Sequence, residues 1–194
     1  MAQAVEDAGT EAKLSELKGL LQKEGFFDHA DQRLLLFTEF KDTLDYLVAR
    51  LRSWGFRVGC IHGGMKSGSR DEPGTRLHAE QKFREGEIQI LVATEAAGEG
   101  INLQACNILF NYDIPWNPNR LEQRMGRIHR IGQTDDVYIF NLVATNTREG
   151  YVLNTLLKKI ERMGIELGDK VFDVIGQAVG TNLRDLLEAV IAGE

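Results

Sequence analysis

Apolar positions along the chain follow two alternating rhythms. Five short, nearly continuous apolar runs predict strands: residues 33–38 (RLLLFT), 57–63 (RVGCIHG), 88–94 (IQILVAT), 107–113 (NILFNYD) and 136–144 (DVYIFNLVA). Helical spacing fills the gaps. In 39–55 (EFKDTLDYLVARLRSWG), Phe40, Leu44, Leu47 and Leu51 share one face and Gly55 ends the run. Residues 75–86 (TRLHAEQKFREG) predict a helix that stops at Gly86, and residues 13–22 (KLSELKGLLQ) predict another. Near the end, Val152, Leu153, Leu156, Leu157, Ile160 and Met163 form an apolar stripe, and a last helix is expected over residues 181–193. The stretch 65–75 (MKSGSRDEPGT) is polar, glycine-containing and loop-like.

Strands that are apolar throughout, alternating with amphipathic helices, predict an α/β protein whose mostly parallel central sheet is covered on both faces. Ligands of such sheets sit beyond the carboxyl ends of the strands. Directly after the strands come TEF, HGGM, TEAAGEGINLQ and DIPWNPNRLEQ, all richer in polar and turn-forming residues than the strands themselves.

Composition narrows the partners. At 194 residues and 43% hydrophobic, the chain is long enough to bury a core. Its net charge of -6 excludes a generic polyanion binder, so any nucleic-acid contact must come from a local patch. Cys60 and Cys106 lie in apolar stretches and read as buried, reduced thiols. No apolar run approaches the roughly 20 residues of a membrane span, and MAQAVEDAGTEAKL has no signal-peptide core. A cytoplasmic protein with a loose first ten residues is expected.

Against this acidic background, the segment Glu122–Gln133 (EQRMGRIHRIGQ) concentrates Arg124, Arg127, Arg130 and His129. Asn117 suits a helix cap and Pro118 a first helical position. On a helix running on from there, Gln123, Arg127 and Arg130 fall at i, i+4 and i+7, on one face; Leu121, Met125 and Ile128 fall on the other. Arg124 lies between the faces and receives no role. Convergent arginines suit phosphate oxygens, because the planar guanidinium binds them bidentately and keeps its charge.

QRMGRIHRIGQ resembles the sixth motif of superfamily-two helicases, Q-x-x-G-R-x-x-R, in its Swi/Snf-type form with a trailing H-R-x-G-Q. TEAAGEGINLQ resembles the fifth motif at Thr94, Gly98, Gly100, Ile101, Asn102 and Leu103. DIPWNP matches D-x-x-W-N-P at Asp113, Trp116, Asn117 and Pro118, LLLFTEF resembles the fourth motif, and IHGGM a histidine-glycine turn. The ordered set covers about residues 32–145. Arg76 and Phe83 match a further R…F pair, although Glu80 stands where that pattern has an apolar residue.

The resemblance implies the second, C-terminal RecA-like lobe of a Swi/Snf-type helicase or ATPase, nearest to bacterial RapA-like members. The fold would be a three-layer RecA-like α/β lobe over residues 32–147, with a lead-in segment over 1–31 and a helical brace over 148–194. Arg127 and Arg130 would be arginine fingers. Gln123, Gly98, Gly100 and Asn102 would lie at the nucleotide, and Thr38, His62, Gly63 and Thr94 at the nucleic-acid backbone. ATP with Mg²⁺ would be held mainly by a first lobe, in the same polypeptide or a partner. Duplex DNA is the implied track, RNA polymerase or another protein–DNA complex a further candidate partner, and the cytoplasmic nucleoid the implied location. No membrane partner and no resident metal site are implied.

A phosphate loop, G-x-x-x-x-G-K-[ST], is not found: Gly63–Gly68 is followed by Ser69 and Arg70. Nor does an Asp-Glu box end an apolar strand, since Ile and Pro follow Asp113. This lobe alone is therefore expected not to hydrolyse ATP. The alternative is a stand-alone nucleic-acid-binding or regulatory module that keeps the fold without the chemistry.

Overall fold

A computed structural model describes residues 2–95, 103, 105–115, 118–128 and 137–142. The elements in chain order are α1 (Ala2–Lys23), β1 (Leu34–Thr38), α2 (Lys41–Ser53), β2 (Val58–Ile61), α3 (Arg76–Arg84), β3 (Ile90–Thr94), β4 (Ile108–Asn111), α4 (Pro118–Met125) and β5 (Tyr138–Asn141). The helices expected over 149–164 and 181–193 lie outside the described residues. Contacts divide the chain into two compact units, residues 1–114 with 123–142, and residues 115–122 with 143–194.

The five strands form one sheet in the order β2-β3-β1-β4-β5, and every neighbouring pair is parallel. β1 is central, flanked by β3 and β4, and is buried at every position, as is β3. That is why both read as unbroken apolar runs: a strand covered on both faces has no solvent side on which to place polar residues.

Alternate residues feed two cores. Leu34, Leu36, Ile90, Val92 and Phe110 pack with Leu17 and Leu21 of α1 and Leu44, Leu47 and Leu51 of α2. Leu35, Phe37, Leu91, Ala93 and Leu109 pack with Ala79 and Phe83 of α3, together with Leu103, Cys106 and Ile128. The period-two alternation of a strand thus sends neighbouring residues to opposite helical layers, which makes the three-layer arrangement expected from the pattern.

The two glycine stops hold. Gly55 follows α2 at φ 93° and Gly86 follows α3 at φ 80°, left-handed conformations in which a side chain would be strained. α3 starts as its sequence asks, with Thr75 accepting from the His78 N–H at 3.4 Å.

Two elements differ from the expected ones. The first helix is longer than residues 13–22, because α1 begins at Ala2. The stretch contains no proline, and alanine, leucine, glutamate and lysine carry the helix through Gly9 and Gly19. The helix expected to run through the arginine cluster ends at Met125, and Gly126, Arg127 and Ile128 form a turn. Glycine is a poor helix former, and here it follows the last helical residue directly. No described helix is long and apolar enough to cross a membrane.

Candidate nucleotide and nucleic-acid site

The carboxyl ends of the strands hold a connected polar network. Thr38, the last residue of β1, is fully buried, and its hydroxyl donates to Asp113 Oδ2 at 2.5 Å. The same carboxylate oxygen accepts from the Glu39 N–H at 3.3 Å. Lys13 reaches across from α1, with Nζ 3.5 Å from Asp113 Oδ1 and 3.2 Å from the Tyr112 carbonyl oxygen it donates to. Burial, reinforced by Asp113, pushes the Tyr112 phenol up to about 12.

Arg124 dominates this network. The residue is 2% exposed although it carries a charge. One guanidinium nitrogen donates to Asn111 Oδ1 at 3.0 Å and to the Asp113 carbonyl at 2.6 Å. The other terminal nitrogen donates to Glu95 Oε1 at 2.6 Å in an ion pair. The guanidinium also sits 5.3 Å from the centroid of the Phe37 ring. Asn111 in turn donates to Asn141 Oδ1 at 2.8 Å. Burial lowers the pKa of Arg124 from its ordinary value, while Glu95 and then Asp113 act against that shift. One cation therefore touches the ends of β1 and β4 and the residue after β3, and through Asn111 it reaches β5.

This role was not read from the sequence. Arg124 has no near neighbour in the chain that explains its burial: its partners stand 29, 13 and 11 residues away. The polar Asn111 at the end of β4 was in view, but joining it to Arg124 needed the sheet order.

The other site residues fall into four groups. Arg127 is half-buried in the turn after α4, its N–H donating to the Arg124 carbonyl at 3.1 Å, and Gln123 is exposed. The i, i+4, i+7 face expected from Gln123 through Arg127 is therefore interrupted at Gly126. Thr38 and Thr94 lie side by side in the β1–β3 register and are both buried, so neither offers an exposed side chain to a nucleic-acid phosphate. Thr38 is instead a tie between strand ends. His62 is half-buried, Gly63 is exposed, and His62 Nδ1 accepts from the Gly64 N–H at 3.2 Å. Arg130, Gly98, Gly100 and Asn102 lie outside the described residues.

Arg76, one half of the R…F pair, holds this turn from α3. Its Nε donates to the Met65 carbonyl at 2.9 Å and a terminal nitrogen to the Gly63 carbonyl at 2.7 Å. Phe83, the other half, is buried in the core against the sheet. Glu80, the departure from the pattern, is buried as well and pairs with Arg84 at 2.5 Å one turn on, which compensates its charge. Cys60 and Cys106 are both free thiols, and burial pushes Cys106 up to about 12.

Fit to the implied ligands divides. Arg127 and Gln123, beside the carboxyl edge and accessible, suit phosphate oxygens. Among the described residues no three His, Cys, Asp or Glu side chains gather to hold a metal ion.

An all-parallel, two-sided α/β sheet with its polar groups gathered at the carboxyl edge defines a RecA-like lobe. The helicase conserved C-terminal domain matches residues 12–132, and the chain belongs to that family. It is the C-terminal lobe of a Swi/Snf-type superfamily-two helicase. The chain is 42% identical over 170 residues to an uncharacterized ATP-dependent helicase, YqhH, of Bacillus subtilis, covering 86% of this chain and 29% of that protein. It is 32% identical over 164 residues to Helicase SWR1 of Cryptococcus neoformans, covering 84% of this chain and 12% of the relative. The chain thus spans less than a third of either relative. Among solved structures, the C-terminal part of the Fun30 ATPase domain superposes with a TM-score of 0.61 at 26% identity, over 75% of this chain and 44% of the other.

Proposed function

We propose that this chain is the second motor lobe of an ATP-dependent, DNA-stimulated translocase, and that Arg127 and Arg130 are its arginine fingers. The observation that carries the proposal is the partly exposed Arg127, tethered to the carboxyl edge of the sheet, in a sequence without a phosphate loop. A lobe with cations for phosphate oxygens and no cradle for them completes a site whose other half lies elsewhere.

In the reaction, water attacks the terminal phosphorus of ATP and the bond to the bridging oxygen breaks, so negative charge grows on the transferring group and the leaving oxygen. A guanidinium fixed beside that group stabilises the growing charge, and such fingers are worth on the order of 10³–10⁵ in rate. Gln123, with Gly98, Gly100 and Asn102, would line the nucleotide side. ATP and Mg²⁺ would be held mainly by a first lobe carrying the phosphate loop.

Duplex DNA is the proposed track. His62 and Gly63 have accessible surface for a phosphate, while the buried Thr38 and Thr94 shape the strand ends behind them. Location at the cytoplasmic nucleoid, kinship with RapA-like members and action on RNA polymerase or another protein–DNA complex belong to the same proposal and rest on family likeness.

ATP turnover in the two-lobed polypeptide tests this. Duplex DNA should stimulate it, and Arg127→Ala and Arg130→Ala should each lower it by at least about 10³-fold. Unchanged turnover in both variants would overturn the finger assignment, and absence of turnover in the two-lobed polypeptide would favour a non-catalytic module.

A further inference from the structure

We propose that Arg124 is a positioning residue that sets the finger segment against the strand ends, so that Arg127 meets the nucleotide in one fixed pose. The proposal rests on the finger reading of Arg127.

Two independent linkages leave the same residue. Through its side chain, Arg124 is bound to Asn111 Oδ1, the Asp113 carbonyl and Glu95 Oε1, at 3.0, 2.6 and 2.6 Å. Through its main chain, its carbonyl accepts the N–H of Arg127 at 3.1 Å. The first linkage anchors Arg124 to the rigid sheet, and the second hands that position on to Arg127, three residues later. Without the first, Arg127 hangs on a turn that begins at a glycine. Glu95 also leads straight into the stretch carrying Gly98, Gly100 and Asn102, so the ion pair joins the starts of both nucleotide-side segments.

The chemistry explains why the anchor is arginine. Three acceptors in different directions require a planar fork with fixed donors, and a lysine ammonium on its flexible stem cannot reproduce that set. Burying a guanidinium for stability alone is a poor bargain, because desolvation cancels most of the Coulomb attraction. An apolar set in place of Arg124 and its acceptors would fill the same space at less cost. The buried charge makes sense where a single orientation matters, and a misplacement of about 1 Å near a reacting centre can cost about 10²-fold.

The test is Arg124→Lys in the two-lobed enzyme, read by single-turnover ATP hydrolysis, by the number of nucleotides bound per molecule, and by the double variant with Arg127→Ala. The expected result is a rate about 10²-fold below wild type, with nucleotide stoichiometry unchanged. Arg124→Lys/Arg127→Ala should be no slower than Arg127→Ala alone, because a positioning residue has no effect once the group it positions is gone. A rate within about threefold of wild type, or losses that multiply in the double variant, would overturn the proposal. Should Arg124→Lys not fold, Glu95→Ala removes one arm of the same anchor, and the same non-additivity with Arg127→Ala is required of it. An Arg127→Ala enzyme that hydrolyses ATP normally would remove the finger reading and this proposal together. Loss in Arg127→Ala with full activity in Arg124→Lys would remove only this one.

Discussion

Replacing Thr38 by valine isolates the strand-end tie at the centre of the sheet. The side chains are close in shape, and the site is fully buried, so the change replaces a hydroxyl by a methyl at the same place. What disappears is the 2.5 Å bond to Asp113 Oδ2. A hydrogen bond to a charged group contributes about 1.5–3 kcal/mol. The added methyl returns up to about 0.8 kcal/mol of burial. Asp113 keeps the Glu39 N–H at 3.3 Å and Lys13 at 3.5 Å, and its side chain is 21% exposed, so water can reach it and limits the loss. The net cost is about 1–2 kcal/mol, which for a domain of this size lowers Tm by roughly 2–8 °C. Thermal unfolding followed by circular dichroism measures it, with Thr38→Ser as the control that keeps the hydroxyl. A cycle with Asp113→Ala should show coupling of about 1 kcal/mol or more. An unchanged Tm in Thr38→Val, together with coupling below about 0.3 kcal/mol, would show that this contact contributes nothing and that the network reasoning is wrong.

Two further outcomes follow from the structure. Gly19→Ala and Gly68→Ala should move stability in opposite directions in chemical denaturation. The first adds a methyl with no atom within 4 Å on an interior turn of α1 and should stabilise by about 0.5–1 kcal/mol. The second puts Cβ 2.2 Å from Thr75 Cγ2 at a φ of +59° and should destabilise by more than that. Stability should also fall in alkali: the folded protein holds the Cys106 thiol up to about 12, above its ordinary 9.0, so the unfolded chain loses the proton first. The contribution is complete below about pH 9 and is lost between about 9 and 12. Cys106→Ala should flatten that slope in pH-dependent denaturation while the Tyr112 part remains.

The sheet was legible because its strands are buried on both faces. β1 and β3 have no polar interruption before Thr38 and Thr94, and the helices between them carry their apolar stripes at the right spacing and end on glycine. Local patterning decides those features. Several strand limits were read long, as in 57–63 against Val58–Ile61, because the first and last residues of an apolar run need not enter the ladder. The site was legible as a set of motifs but not as a geometry. Arg124 looked like a bystander between helix faces, since burial of an arginine is decided by partners far away in the chain. The same limit applied to Thr38, whose hydroxyl is taken up by a residue 75 positions on. It applied less to Glu80, where Arg84 four residues later was in view but the burial of the pair was not.

The measurement that bears most directly on the central claim is ATP hydrolysis, with and without duplex DNA, by this chain alone and by the two-lobed polypeptide, each beside its Arg130→Ala variant. The account predicts no turnover from the lobe alone. It predicts DNA-stimulated turnover from the two lobes together, which Arg130→Ala lowers by at least about 10³-fold. DNA-stimulated turnover by the isolated chain, abolished by Arg130→Ala, would contradict it, because the phosphate-holding residues would then have to lie within this lobe.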